Sequence, residues 1–417
     1  MIEVWSDLSR AGRLDRMGPR GSVFAYALEA ARDRAVSMTM PVRLETYSEA
    51  HRLLPIFEMN LPEGVLREQL RLRFAKATGR FDDLDLLAVV GRSQIGRLRY
   101  TGVGAELHET APFQSVDELL ASRRSGDLYA HLLERFAASS GVSGVQPKVL
   151  IRDDQAARTL AGERPPSVRG STHIVKFWDA AYPQLAANEY FCLSAARRAG
   201  LMTPGFALAE DGGALVVDRF DLRPEGSYRG FEDFAVLNAR STADKYHGSV
   251  ETALFRRLRD FLSPSAYQQD ALSLFSLMVI NVAIRNGDAH LKNFGLVYDD
   301  PEGEARLAPA YDLVTTTAYL PQDAMALTFE GTTRWPDRAR LIHFGLTRGL
   351  ASSTDLERRV DGVLQALADT LPDIRRRAAD DPAFAEVAGA MEQAWSAGMN
   401  SLKADPGTRR TARLAPV

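Results

Sequence analysis

Apolar and polar positions along this chain recur with a helical period in some stretches and as short apolar runs between turn formers in others. Leu272, Phe275, Met278, Val279 and Val282 share one helical spacing, and residues 271–284 are apolar almost all round, which predicts a buried helix. That stretch is too short and too polar-flanked to cross a membrane. Arg285-Asn286-Gly287 would end it, with Gly287 suited to a left-handed terminus. Helices are also predicted over 65–74, 127–138 and 185–199; Pro62-Glu63-Gly64 places a proline and an acid at the start of the first, and Gly200 stops the third. Short apolar runs predict strands at 86–91, 95–98, 149–151 and 173–177, and a hairpin from 206–208 and 214–217 around Asp211-Gly212-Gly213. A second hairpin is predicted from 294–298 and 305–310, joined by Asp299-Asp300-Pro301-Glu302-Gly303.

These elements divide the chain into an α/β unit over 1–123, a small β-rich lobe over 124–222 and a mainly helical lobe over 223–404, with a frayed basic tail at 405–417 that has little to bury. The class is α+β. No repeat of 20 to 50 residues runs through it.

Composition narrows the function classes more than the fold. The 417 residues are 45% hydrophobic and 25% charged, as in an ordinary soluble globular protein with room for two or three units. A net charge of −3 disfavours autonomous nucleic-acid binding. The single cysteine, Cys192, allows no intrachain disulfide and has no nucleophile signature around it, so it reads as a buried structural residue. Residues 1–7 lack a basic segment followed by an apolar stretch, so neither secretion nor membrane insertion is expected and the location is cytoplasmic.

The candidate chemistry centres on three residues. Asn293 follows Asp288 by five positions, and Asp312 follows Asn293 by nineteen. Asp then Asn five residues on is the spacing of a kinase catalytic loop, in which the first orients the acceptor hydroxyl and the second holds Mg²⁺; a later Asp completes the metal site. The predicted 294–310 hairpin would bring Asn293 and Asp312 side by side at its open end, where a hard cation needs its oxygens. His290, between them, has no second histidine at zinc spacing and reads as positioning Asp288.

Three further features bear on a nucleotide. Ser139, Ser140, Gly141, Ser143 and Gly144 form a loop able to lay backbone N–H groups on phosphates, although it is no Walker A motif. Lys176 lies in an apolar strand and needs either an outlet at a sheet edge or a partner, which Glu189 on the next helix offers. Val216-Val217-Asp218-Arg219-Phe220-Asp221 reads as an inter-lobe hinge with Asp218 and Phe220 at the adenine. Its bland alternative is an Arg219–Asp221 surface ion pair. No Gly-x-Ser-x-Gly elbow supports a hydrolase.

Taken in order, Gly144-Val145-Gln146-Pro147-Lys148, Thr172-His173-Ile174-Val175-Lys176, Asn188-Glu189-Tyr190-Phe191-Cys192, Val217-Asp218-Arg219-Phe220-Asp221, Glu232-Asp233, Gly287 to Phe294 and Pro309-Ala310-Tyr311-Asp312 resemble HipA, the Ser/Thr kinase toxin of HipBA toxin–antitoxin modules. Leu61-Pro62-Glu63-Gly64 and 86–92 look like that family's amino-terminal subdomain, so the resemblance spans nearly the whole chain, unlike the shorter HipT-type relatives. It implies a bilobal protein-kinase-like fold with an extra N-terminal α/β subdomain. It also implies ATP and Mg²⁺, Asp288 as catalytic residue, Asn293 and Asp312 as metal ligands, and Ser143, Gly144, Lys176, Glu189, Asp218, Phe220 and His290 about the nucleotide. The implied partners are a HipB-like helix-turn-helix antitoxin, operator DNA mainly through that antitoxin, and a protein substrate of the aminoacyl-tRNA synthetase class. One position departs: Gly141 stands where HipA carries its autophosphorylated Ser, while Ser143 matches the Ser of HipT-like relatives and becomes the regulatory candidate. Aminoglycoside-type phosphotransferases, which share Asp-x-His-x-x-Asn, and a catalytically silent partner of a DNA-binding antitoxin are the alternatives.

Overall fold

The computed structural model describes residues 1–78, 81–108, 111, 113–122, 125–136, 140–144, 146–153, 170–223 and 226–404. Strands β1 (Ile2–Ser6), β2 (Ser9–Met17), β3 (Gly21–Tyr26), β4 (Tyr47–Glu49) and β5 (Leu98–Gly102) form an antiparallel sheet in the order β4-β3-β2-β1-β5. Ile2, Val4, Leu14 and Phe24 turn inward from it onto Phe57, Leu84 and Leu87. The helix expected at 65–74 runs Gly64–Thr78. The strand expected at 86–91 is instead a helix, Asp83–Val90. Asp82 takes the N–H groups of Leu84 and Asp85, both at 3.1 Å, and Asp85 takes that of Asp82 at 3.0 Å, a reciprocal cap that outweighs the β-like look of the apolar run. At 95–98 only Leu98 enters a strand.

The second sheet comprises β6 (Lys148–Ile151), β7 (His173–Phe177), β8 (Phe206–Leu208) and β9 (Ala214–Asp218) in the order β6-β7-β9-β8, antiparallel throughout. Ser125–Phe136 packs near one side, and Leu185–Arg198, ending before Gly200 at φ +80°, packs on the other. Cys192 is fully buried on that helix, its sulfur 3.4 Å from Asn188 Oδ1 and 3.5 Å from Thr315 Oγ1.

A third small sheet, β10 (Gly230–Asp233), β11 (Gly295–Tyr298) and β12 (Ala305–Leu307), contains the expected hairpin, with Leu296 opposite Leu307 and Tyr298 opposite Ala305. It leads into a helical body around the buried Pro264–Ala283 helix, flanked by Ser353–Asp380 and Pro382–Leu402. A Cβ on Gly398 would lie 2.0 Å from Ala283 O, so only glycine lets the last helix cross so close. Arg285, not Gly287, takes the left-handed conformation after the central helix, at φ +58°. Gly287 is needed for space instead: a Cβ there would meet Asp323 Oδ2 at 2.1 Å and Ala324 O at 2.6 Å.

The first sheet's unit is wedged against the rest. Glu232 of β10, fully buried, accepts hydrogen bonds from Ser37 Oγ at 2.6 Å, Met38 N at 2.7 Å and Tyr298 Oη at 2.7 Å. Val236 belongs to the same apolar cluster as Phe57 and Leu61. Among the described residues no helix is long and apolar enough to cross a membrane. The tail at 405–417 lies outside the described residues.

Candidate functional site

Lys176 sits on β7 between Lys148 of β6 and Leu215 of β9, so it is interior to the sheet, not at an edge. An ammonium buried there requires anionic partners. Its Nζ donates to Glu189 Oε1 at 2.5 Å and to Asp312 Oδ1. Burial opposes the charge on Lys176, but the two carboxylates outweigh it and raise its pKa. Burial likewise pushes the Asp312 carboxyl up, but Lys148 and Lys176 prevail and hold it well below the usual carboxylate range. Asp312 itself has φ +52°, a costly backbone for a non-glycine residue.

Asn293 and Asp312 meet as expected at the open end of the β11–β12 hairpin. Asn293 Nδ2 points to Asp312 Oδ2 at 3.5 Å, while Asn293 Oδ1 accepts the His290 N–H at 3.0 Å. The donor set, one ionised carboxylate and one carboxamide, suits Mg²⁺, which takes few protein oxygens and leaves the rest to water and phosphate. Asn293 would have to turn its oxygen toward Asp312 to join it.

Asp288 stands at the mouth of the cleft. Asn286 Oδ1 accepts its N–H at 3.1 Å, and Gly287 N donates to Thr316 Oγ1 at 2.7 Å, which in turn donates to Asp323 Oδ2 at 2.6 Å. The loop is thus fixed from both sides. Half of the Asp288 side chain stays open, yet the cleft walls desolvate its carboxylate and push its pKa up, against the hydrogen bond donated by Tyr246 Oη at 2.7 Å. His290 is buried, with Nε2 3.9 Å from Asp288 Oδ1, and burial pushes it down to about 3, so it is neutral at physiological pH.

Two cavities meet at Lys148, Glu189 and Asp312. The inner one is walled by Ile95, Val142, Ile174, Val217, Phe220 and Tyr311, and also takes in Ser143 and Asp218. Phe220 makes ring contacts with Phe231 and Tyr311 at 5.4 and 5.8 Å. Asp218 lies 3.3 Å from His173 Nε2. The outer cavity takes in Gly144, Asp288, His290 and Asn293 beside Trp178, Tyr246 and Tyr319. All ten sequence-derived residues therefore line one or both cavities.

Arg219 and Asp221 are not a surface pair. Both are buried, 2.6 Å apart, and Arg219 also reaches Ser171 Oγ at 2.6 Å and Gln94 O at 2.8 Å, while Asp221 takes the Gly96 N–H at 2.7 Å. They bind the segment after β9 to the first unit. The glycine at 141 also has a cause: it pairs with Gln94, its N–H bonds Ser93 O at 2.9 Å, and a Cβ there would fall 1.8 Å from Gln94 Nε2. Of the loop serines, Ser140 is buried and donates to Phe136 O at 2.8 Å, Ser143 is half-buried, and Ser139 lies outside the described residues.

Sequence reasoning missed Lys148, Tyr246 and the first unit's Met59, Asn60 and Ile95, which also line the inner cavity or touch the catalytic candidate. Lys148 had a signal, since it opens a strand directly after Gln146-Pro147. Tyr246 had none.

Residues 140–375 match the HipA-like C-terminal domain family, and residues 2–101 match the HipA N-terminal domain. Two Sinorhizobium fredii proteins are similar: "Putative kinase Y4dM", 29% identical over 67% of this chain and 66% of its own length, just under two thirds, and "Putative kinase Y4mE", 29% identical over 89% and 92%. Among solved structures, HipA of Shewanella oneidensis, determined with HipB and its operator DNA, superposes with a TM-score of 0.67 at 19% identity, covering 96% of this chain and 97% of that one. That likeness establishes a shared bilobal kinase-like fold, and the two family matches settle the lineage: the chain belongs to the HipA family of kinase-like toxin–antitoxin proteins.

Proposed function

We propose that this protein is an ATP-dependent serine/threonine kinase toxin, which transfers the γ-phosphate to a protein of the translation apparatus, an aminoacyl-tRNA synthetase being the favoured class, and so restrains growth. The observation that carries this reading is Lys176 held between Glu189 and Asp312, with Asp288 and Asn293 on the same cleft. Asp288 accepts or orients the proton of the acceptor hydroxyl. Lys176 and Lys148 steady the phosphates, Ser143 and Gly144 cover them, and the apolar inner cavity takes the base. The amides of Asp218 and Arg219 already bond Gly205 O at 2.8 Å and Thr172 O at 3.1 Å, so the hinge offers adenine its backbone from Phe220. Asn293 and Asp312 would hold Mg²⁺, which when bound neutralises charge developing on the phosphates.

Autophosphorylation at Ser143 is proposed as the off-switch, since a phosphate there would repel those of ATP. The family and the Shewanella complex support a helix-turn-helix antitoxin as partner, with operator DNA reached through it. The proposed organisation is 1–123, 124–222 and 223–404 with a 405–417 tail, in a cytoplasmic protein. The test is transfer from γ-³²P-ATP with Mg²⁺ to purified aminoacyl-tRNA synthetases and to the chain itself, by wild type and D288N. Wild type should label a target and D288N should not; no labelling by wild type would overturn the reading, and equal labelling by both would overturn the role of Asp288.

A further inference from the structure

Glu63 comes from the first unit, distant in sequence from the catalytic candidates, yet its carboxylate bonds two lysines that neighbour them in the chain or touch their segment. Its place beside Pro62 and Gly64 suggested an acid at the start of the helix that follows, and the carboxylate also reaches into the helical lobe. Oε1 takes the Lys292 ammonium at 2.9 Å and Oε2 takes that of Lys245 at 3.0 Å. All three side chains are nearly buried, at 13%, 6% and 10% exposure, so the ions are poorly screened. Burial works against the Glu63 charge, but the two ammonium groups overcome it and hold the carboxyl down at about 2.

The two lysines belong to the two segments that reach the acceptor side of the cleft. Lys292 immediately precedes Asn293 in the loop begun by Asp288. Lys245 immediately precedes Tyr246, whose hydroxyl bonds Asp288 Oδ1 at 2.7 Å, and Lys245 O accepts the Leu291 N–H at 3.0 Å. Lys292 Nζ further reaches Met59 O at 3.2 Å and Thr242 Oγ1 at 3.4 Å. One carboxylate from outside both lobes thus ties the loop of Asp288 and Asn293 to the segment that touches Asp288 from the solvent side.

We infer that Glu63 is a positioning residue for phosphoryl transfer, holding the 286–293 loop and the 244–247 segment in register through Lys292 and Lys245. The first unit is on this view a working part of the kinase. Neutralising Glu63 would leave two like charges facing each other in a poorly solvated place, which drives the two segments apart. A shift of about 1 Å at a reacting group can cost about 100-fold in rate.

The inference rests on the kinase reading, and the experiment separates the two. Hydrogen–deuterium exchange of the full chain is compared for wild type, E63Q, E63D and K245M, together with total ³²P transfer from ATP to water, dephosphorylated casein and the chain itself. E63Q should speed exchange at 286–293 and 244–247 by about tenfold, with the Pro264–Ala283 helix and Mg·ATP affinity unchanged, and should lower kcat by about 100-fold with little change in the KM for ATP. E63D, which keeps the charge, should recover most of both effects. K245M, which leaves the Glu63–Lys292 pair intact, should loosen 244–247 but not 290–293, and this keeps the inference testable if E63Q fails to fold. Unchanged exchange and kcat in E63Q, beside an inactive D288N, would overturn the role of Glu63 alone. No ³²P transfer by wild type to any of these acceptors would overturn the kinase reading, while the exchange data still report whether Glu63 holds the two segments.

Discussion

Asp288 carries two opposing influences, desolvation that raises its pKa and the Tyr246 hydroxyl that lowers it. Replacing Tyr246 with Phe removes only the second, so the carboxyl must rise further. If Asp288 acts as its ionised form, the acid limb of kcat/KM then moves to higher pH, by up to about one unit; a limb that stays in place in Y246F would rule out this coupling. His290, already neutral because burial pushes it down to about 3, should add no limb near neutrality. Lys176 is different, since its loss leaves Glu189 and Asp312 without their shared cation. K176M should therefore lose ATP affinity and about 3–5 kcal/mol of stability, the usual cost of breaking a buried pair from one side, read from the urea midpoint at constant m.

At the scale of elements, the glycine- and serine-containing loop is laid against the first unit at Gly141, where the Cβ of any other residue would collide with Gln94. G141S, which restores the HipA residue implied at that position, should destabilise the chain by about 1–3 kcal/mol, as overpacking does, and thermal unfolding checks it. A serine thus cannot simply be placed at 141. The β11–β12 hairpin was readable because a cluster of turn formers separates two apolar runs, and with it came the meeting of Asn293 and Asp312. The Asp83–Val90 helix was misread because Leu86, Leu87, Ala88, Val89 and Val90 mask any period, while its cap, Asp82 and Asp85, lies upstream of the run. Tyr246 and Glu63 escaped for another reason: the partners of Tyr246 and Glu63 lie 42 and 182 to 229 residues away, and nothing local marks such a contact. The left-handed terminus expected at Gly287 falls at Arg285 instead, and the glycine at 287 makes room beside Asp323.

At the scale of the whole molecule, the first unit is joined to the rest by buried polar contacts as well as by apolar packing. Glu232 accepts from three donors at once, two of them in the first unit. E232Q would set a donating amide against those donors, and should cost about 1–3 kcal/mol and loosen residues 37–40 in hydrogen exchange. Exchange in that segment equal to wild type would argue that packing alone makes the joint. The seclusion of Cys192 has a practical use at this scale. Its thiol is pushed up to about 12 by burial, and no other cysteine occurs in the 417 residues, so the native chain is blank to maleimide dyes under mild conditions. A cysteine introduced at the half-exposed position 143 would then be the sole reactive handle, and a fluorophore there would report in real time whether the loop closes when nucleotide arrives.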